Sequence, residues 1–249
     1  MKEHRTMTPL GAVGLWILLW QGIAMLVNLP LLLPSPWQTI LAAWQQWQQP
    51  MFWYSVLMSL LRIMGGFLLA MLAGVLLAWL CTRSQLAEAL LAPIRTVIRS
   101  TPVSSFIILV LLWIKVDSVP TFIAFLMVLP IVWHGMQEGI SALNPQLQEM
   151  ARMYDFSRMK ALRYVTLPQL LPFFRSTAAT GSGIAWKAGI AAEVIARPTL
   201  SIGRHLQDTK VYLLTDQLFA WTLTVILLSI LLEQMINRLF KVAGKGGKA

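Results

Sequence analysis

The sequence predicts an all-α protein, a polytopic membrane helix bundle of about six transmembrane helices. Three observations carry the prediction. Only 12% of the 249 residues are charged and 57% are hydrophobic, with mean hydropathy +0.66, whereas a soluble domain carries about 25% charged residues. Apolar runs recur along the chain, and a spanning helix needs about 20 mostly apolar residues. The cations, finally, sort into alternate connecting segments, as they do in multi-pass membrane proteins.

The first span is read from Leu10 to Leu26. Lys2–Arg5 before it resembles the basic start of a signal peptide, but Val27-Asn28-Leu29-Pro30 follows in place of a small-x-small cleavage site, so the helix is expected to stay. Pro34-Ser35-Pro36 then stops regular structure. Trp37, Trp44, Trp47 and Trp53 suit a membrane interface, where an indole is half wetted. The second span runs from Val56 to Leu80, interrupted by Arg62 and softened by Gly65, Gly66 and Gly74. The third, Val103 to Ile114, is too short alone, so its helix is expected to begin near Pro93 or Arg99. The fourth runs from Pro120 to Ile140. The fifth, Phe173 to Ala196, is rich in Gly, Ala, Ser and Thr, which let helix backbones approach closely. It is therefore expected in the centre of the bundle. The sixth runs from Leu218 to Ile236. No internal repeat is visible, so residues 1–249 read as a single transmembrane domain with both termini on one side.

With the N-terminus inside, the inner segments collect Lys2, Arg5, Arg83, Arg95, Arg99, the cations from Arg152 to Arg175, and those from Arg238 onward. The outer segments hold only Lys115, Arg197, Arg204 and Lys210. This positive-inside bias accounts for the net charge of +10 without nucleic acid. Cys81 is the single cysteine, and His4, His134 and His205 lie far apart, so neither a disulfide framework nor a metal motif is expected. There is no GxxxxGK[ST], and the terminal GKGGKA lacks its spacing, so the chain is not expected to hydrolyse a nucleotide.

Residues 141–172 break the apolar pattern. The stretch EMARMYDFSRMKALRYVTLP, Glu149 to Pro168, is placed on the cytoplasmic side by the charge count. Asn144-Pro145 is a helix start, a capping side chain followed by proline in the first turn. Leu147, Met150, Ala151 and Tyr154 then share one helix face. Asp155-Phe156-Ser157 interrupts, and Ser157 caps a second helix containing Met159, Leu162 and Val165. Pro168 and Pro172 are expected to end it. The result is a short helical hairpin. It either rests on anionic headgroups or offers its apolar faces to a partner groove.

Glu149-x-Ala151, a turn at Asp155, and Val165-x-Leu167-Pro168 follow the spacing of the EAA loop motif, "EAA, three residues, G, nine residues, I-x-L-P". In this the chain resembles permease subunits of bacterial ABC importers. LPSPWQ, SLLRIMGGFLLA, IRSTPVSSF and AAEVIA, in that order, are similar to the branch that handles nitrate, sulfonates, taurine and pyrimidine precursors. The likeness spans about Leu29 to Glu233. Two positions depart from the motif: Met150 replaces its second alanine and Asp155 its glycine. Glycine there implies a turn with φ > 0, which aspartate tolerates better than most residues.

The resemblance implies a type I ABC importer permease fold in a bacterial inner membrane, both termini cytoplasmic. It implies that Glu149, Ala151, Tyr154, Asp155, Phe156, Ser157, Arg158, Leu167 and Pro168 belong to a coupling loop that sits in a groove of a separate ATPase subunit. That partner, not this chain, would use ATP and Mg; this chain would bind no cofactor. It further implies a homodimer and an extracytoplasmic binding protein that delivers a small solute of the sulfonate, nitrate or pyrimidine-precursor class to outer loops including Arg197 to Asp216.

Arg62, Lys187 and Glu193 fall within spans, where a charge costs at least about 2.5–3.5 kcal/mol and needs a partner or water. In one reading Arg62 and Glu193, both toward the outer ends of their helices, snorkel or pair with each other; in another Lys187 faces the translocation path or joins a structural pair, and Glu193 is a further path candidate. His134, Ser104, Ser105 and Ser182 are further path candidates, though such residues also serve packing. Two other classes stand beside the importer. A self-contained secondary transporter or channel would commonly show internal repeats. An intramembrane enzyme would need a convergent catalytic set, and His134, Lys187 and Glu193 have no such spacing.

Overall fold

Proline and serine punctuate this chain, and the helices begin where they stand. The computed structural model describes residues 9–245, so the basic stretch Lys2–Arg5 lies outside it. Helix α1 covers Pro9–Val27 and stops at Asn28, whose φ is 46°. Helix α2, Pro36–Trp47, opens with a capping box: the Ser35 hydroxyl accepts from Gln38 N, and the Gln38 side chain accepts from Ser35 N. It exposes Trp37 and Trp44 and buries Ala42 and Ala43 against Ala220. Helix α3 runs from Pro50 to Arg83, beginning six residues before the apolar run because Pro50 already suits a first turn.

Helix α4 is Gln85–Ser100, α5 Val103–Val110, and α6 Val119–Ser141, the last preceded by a 3-10 turn at Val116–Ser118. The third span is therefore not one helix begun near Pro93 or Arg99. Helix α4 passes through Pro93 and ends at Ser100, and Thr101 is extended because Pro102 disfavours a helical residue before it. Helix α4 is fixed to α6 by a closed polar triangle. Arg95 donates to Gln137 Oε1 (2.6 Å) and Glu88 Oε1 (2.8 Å), and Gln137 donates to Glu88 Oε2 (2.8 Å).

Helix α7 is Pro145–Met153 and α8 Arg158–Ala161. A π-helical turn, Leu162–Thr166, leads straight into α9, Leu167–Ala196. Pro168 and Pro172 thus do not end the second hairpin helix. Pro168 sits in the first turn of α9, and the wider turn absorbs the register change, with Leu167 N donating to Leu162 O. Helix α10 is Ile202–Val211 and α11 Thr215–Lys245. No strand occurs among the described residues.

Helices α3, α6 and α9 form the centre, as the small-residue content of the fifth span predicts. Their shared core includes Ile63, Phe67, Val128, Val132, Trp133, Ala178 and Trp186. Gly74 does not soften α3; it admits α6, since a Cβ there would lie 2.7 Å from Val132 Cβ. Helix α11 is attached at the periphery by Trp186 Nε1–H donating to Val225 O (3.1 Å). A second cluster, Ile107, Val110, Ile123 and Ala192, seats α5. Among the described residues, three segments are long and apolar enough to cross a membrane, Pro50–Arg83, Val116–Ser141 and Thr215–Leu239, with Gly11–Val27 shorter. Helix α9 has the length, but its Gly, Ser and Thr lower its apolarity.

Candidate functional site

The hairpin between α6 and α9 is built by local hydrogen bonds. Asn144 caps α7, its Oδ1 accepting from Gln146 N (2.9 Å), and its own N–H donates to Gln169 Oε1 (2.9 Å) at the start of α9. Gln169, which the motif reading does not single out, so ties the two feet of the hairpin together. Helix α7 ends in a Schellman turn: Phe156 N donates to Ala151 O (2.9 Å) and Asp155 N to Arg152 O (3.1 Å). Asp155 takes the left-handed position, φ 50°, where the motif carries glycine. Ser157 Oγ then accepts from Lys160 N and opens α8. Only Ala151 and Val165 of this region are buried. Met153 (85% exposed), Tyr154 (74%) and Met159 (71%) stand out at the tip, beside exposed Glu149 and Arg158. Leu167 and Pro168 are exposed at the foot of α9.

At the opposite end a polar clamp holds the turn between α9 and α10. Glu193 is fully buried; its Oε2 accepts from Ser59 Oγ (2.8 Å) and from Gly203 N (3.0 Å). Ser59 Oγ also accepts from Ile202 N (3.0 Å), and Ser201 Oγ from Arg204 N (3.2 Å). The free N–H groups of the first turn of α10 are thereby satisfied by a carboxylate and two hydroxyls. Arg62 does not pair with Glu193. It donates to Asp117 Oδ1 (2.9 Å) and to the carbonyls of Thr199 (2.9 Å) and Leu200 (3.2 Å). The turn needs this support because Arg197 and Leu200 both have positive φ, 56° and 49°. Arg197 and Arg204 also pair with Asp208 of α10.

Between these ends, one side of α6 and α9 carries exposed polar groups. Ser176, Thr180 and Lys187 recur along α9 at helical spacing, with His134 and Glu138 on α6 and Arg99 on α4. Lys187 has no ion-pair partner among the described residues; buried Glu193 does not meet it. His134 Nε2 lies 3.3 Å from Glu138 Oε1. Ser104 and Ser105 are exposed at the start of α5. Ser182 is buried and donates to Ala179 O (2.8 Å), so it packs inside the bundle. A crevice of about 270 Å³ opens on this side, lined by residues of α4, α6 and α9. No cluster of His, Cys, Asp or Glu able to hold a metal occurs among the described residues.

A buried clamp, an exposed helical hairpin and one uncovered polar face thus stand together on a bundle with spanning helices. Residues 70–241 match the model of the family described as binding-protein-dependent transport system inner membrane component. The chain belongs to this family. As a permease of the ABC importer class it shares 26% identity over 231 residues with the taurine transport system permease protein TauC of Escherichia coli, covering 90% of this chain and 84% of that one. It shares 27% over 238 residues with the putative aliphatic sulfonates transport permease protein SsuC of the same organism, covering 95% and 86%. It shares 25% over 159 residues with the bicarbonate transport system permease protein CmpB of Synechococcus elongatus, covering 64% and 57%. Its fold resembles the crystal structure of an amino acid ABC transporter with histidines, with TM-score 0.61, 18% identity, and coverage of 79% of this permease and 94% of that chain.

Proposed function

We propose that this permease forms the translocation path of an ATP-driven importer for a small, anion-bearing solute that an external binding protein delivers. In this reading two copies assemble, the hairpin end is cytoplasmic, and the hairpin sits in a groove of a separate ATPase subunit that carries ATP and Mg. The permease itself supplies no chemistry. The sulfonate, taurine and bicarbonate named for its relatives support an anionic group on the solute.

The observation that carries the proposal is the hairpin. Its backbone is closed by the Schellman turn and the Gln169 tie, yet it exposes Met153, Tyr154 and Met159 together. Exposed apolar tips on a stiff support fit a protein groove. Ser104, Ser105, His134 and Lys187 are assigned to the path because they are exposed where the bundle has no other helix. An unpaired lysine in a span is far costlier against lipid than against water.

The test is co-purification with the ATPase subunit of the importer. Asp155→Gly keeps the left-handed turn and is expected to retain the ATPase. Asp155→Pro cannot adopt positive φ and is expected to weaken association about tenfold or more, roughly the effect of 1.4 kcal/mol or above. Equal association of both variants would remove the hairpin from the interface.

A further inference from the structure

The crevice on the open face has a composition unlike the lipid-facing parts of the bundle. Its walls carry Arg99 from α4, His134 and Glu138 from α6, and Ser176, Thr177 and Thr180 from α9. Gly135 forms the floor and lets α9 come close; a Cβ there would lie 2.2 Å from Thr177 Cγ2. Some of these groups are already engaged. Thr177 donates to the carbonyls of Phe173 and Phe174, and His134 meets Glu138. The side chains of Arg99, Ser176 and Thr180 have no hydrogen-bonding or ionic partner among the described residues. Arg99 and Glu138 share one crevice without forming an ion pair.

We propose that this crevice is a solute-binding site for a small zwitterion; the inference rests on the reading of this face as the translocation path. The sulfonate or carboxylate end binds the Arg99 guanidinium and the hydroxyls of Ser176 and Thr180. The ammonium end binds Glu138, and His134 is the positioning residue that holds that carboxylate. A charge of each sign stands in the wall, and the two do not cancel by contact. A simple anion entering here meets Glu138, and a simple cation meets Arg99. A solute with two charged ends neutralises both and makes charge-assisted hydrogen bonds at each. The volume of about 270 Å³ accommodates such a solute with several waters, each water taking roughly 30 Å³. Lys187 lies two helical turns along α9, about 10 Å away, outside the walls and next along the same face.

The experiment is calorimetric titration of the whole chain in lipid nanodiscs, without ATPase or binding protein. Three probes are used at equal ionic strength: 2-aminoethanesulfonate, ethanesulfonate and ethylammonium. The zwitterion is expected to bind about tenfold or more tighter than either one-ended probe, the usual effect of a hydrogen bond to a charged group. Arg99→Gln and Glu138→Gln are each expected to weaken it by a similar factor, and Glu138→Gln to bring ethanesulfonate level with it. Thr180→Val, a milder change, is expected to weaken both sulfonates and leave ethylammonium unaffected. Equal binding of ethanesulfonate and the zwitterion to the unaltered chain, binding of none of the three, or insensitivity to the Arg99 and Glu138 variants would overturn the proposal. Loss of the ATPase interaction would instead overturn the importer reading and leave these titrations as they are.

Discussion

His205 of α10 shows how one side chain senses its surroundings outside the spanning helices. Its ring stacks on Trp221 at 4.7 Å, and its Nε2 lies 3.0 Å from Ser55 Oγ. Burial pushes its pKa below the ordinary 6.5; nearby Asp208 opposes the shift and Arg204 adds to it. A depressed folded pKa means the unfolded chain binds the proton more readily. The stability this group contributes is therefore full above about pH 6.5 and is lost as pH falls through the folded value. The purified chain is expected to melt at lower temperature at pH 5 than at pH 8. His205→Asn is expected to reduce that difference, as read by thermal unfolding at the two pH values. Other residues differ in how plainly the sequence announces them. The left-handed turn at Asp155 is legible because a motif glycine stands for a backbone conformation. The partners of Arg62 and Glu193 are not: both residues face the same end, but Ser59, Asp117 and the carbonyls at Thr199 and Leu200 reach them first. Backbone acceptors in a turn leave no trace in composition.

At the scale of elements, α10 depends on its seat. Gly203 lies against the last turn of α9, where an added Cβ would come within 2.3 Å of Glu193 Cβ and 2.5 Å of its backbone. Backbone cannot yield as a flexible side chain does. Gly203→Ala is expected to cost about 3 kcal/mol, the upper part of the range for overpacking, and to lower the melting temperature measurably. An unchanged melting temperature would mean that α10 is free to shift. Apolar runs made α1, α3, α6 and α11 readable from the sequence, and a run of small residues made α9 so. The third crossing was not, because α4 and α5 are each short and their division at Pro102 looks like any X-Pro step. The continuation of α8 into α9 was hidden for a related reason: proline usually ends a helix, and a π-turn that accommodates Pro168 has no sequence sign of its own.

At the scale of the whole molecule, the uncovered polar side is the feature that composition alone does not locate. The periodic spacing of Ser176, Thr180 and Lys187 is visible in sequence, but its meaning depends on which side of α9 the core takes. The core lies against α3 and α6, and the polar side stays open. In an assembled importer, Lys187→Met is expected to slow uptake of an anionic solute about tenfold, the effect of losing one favourable charged contact, while the melting temperature stays within a degree or two. Uptake assays in vesicles check this, and unchanged uptake would remove Lys187 from the path.

The unbroken helical run from Arg158 through the π-turn to Ala196 has a mechanical consequence. At about 1.5 Å per residue it is a strut nearly 60 Å long, fastened to the hairpin at one tip and to the Glu193 clamp at the other. Under the proposed coupling role, a thrust on the hairpin would meet no loop before the far tip of α9, beside α10. If the hairpin is the motor contact, as proposed, no separate linkage to the mouth is required, because a single stretch of backbone would serve as the crank.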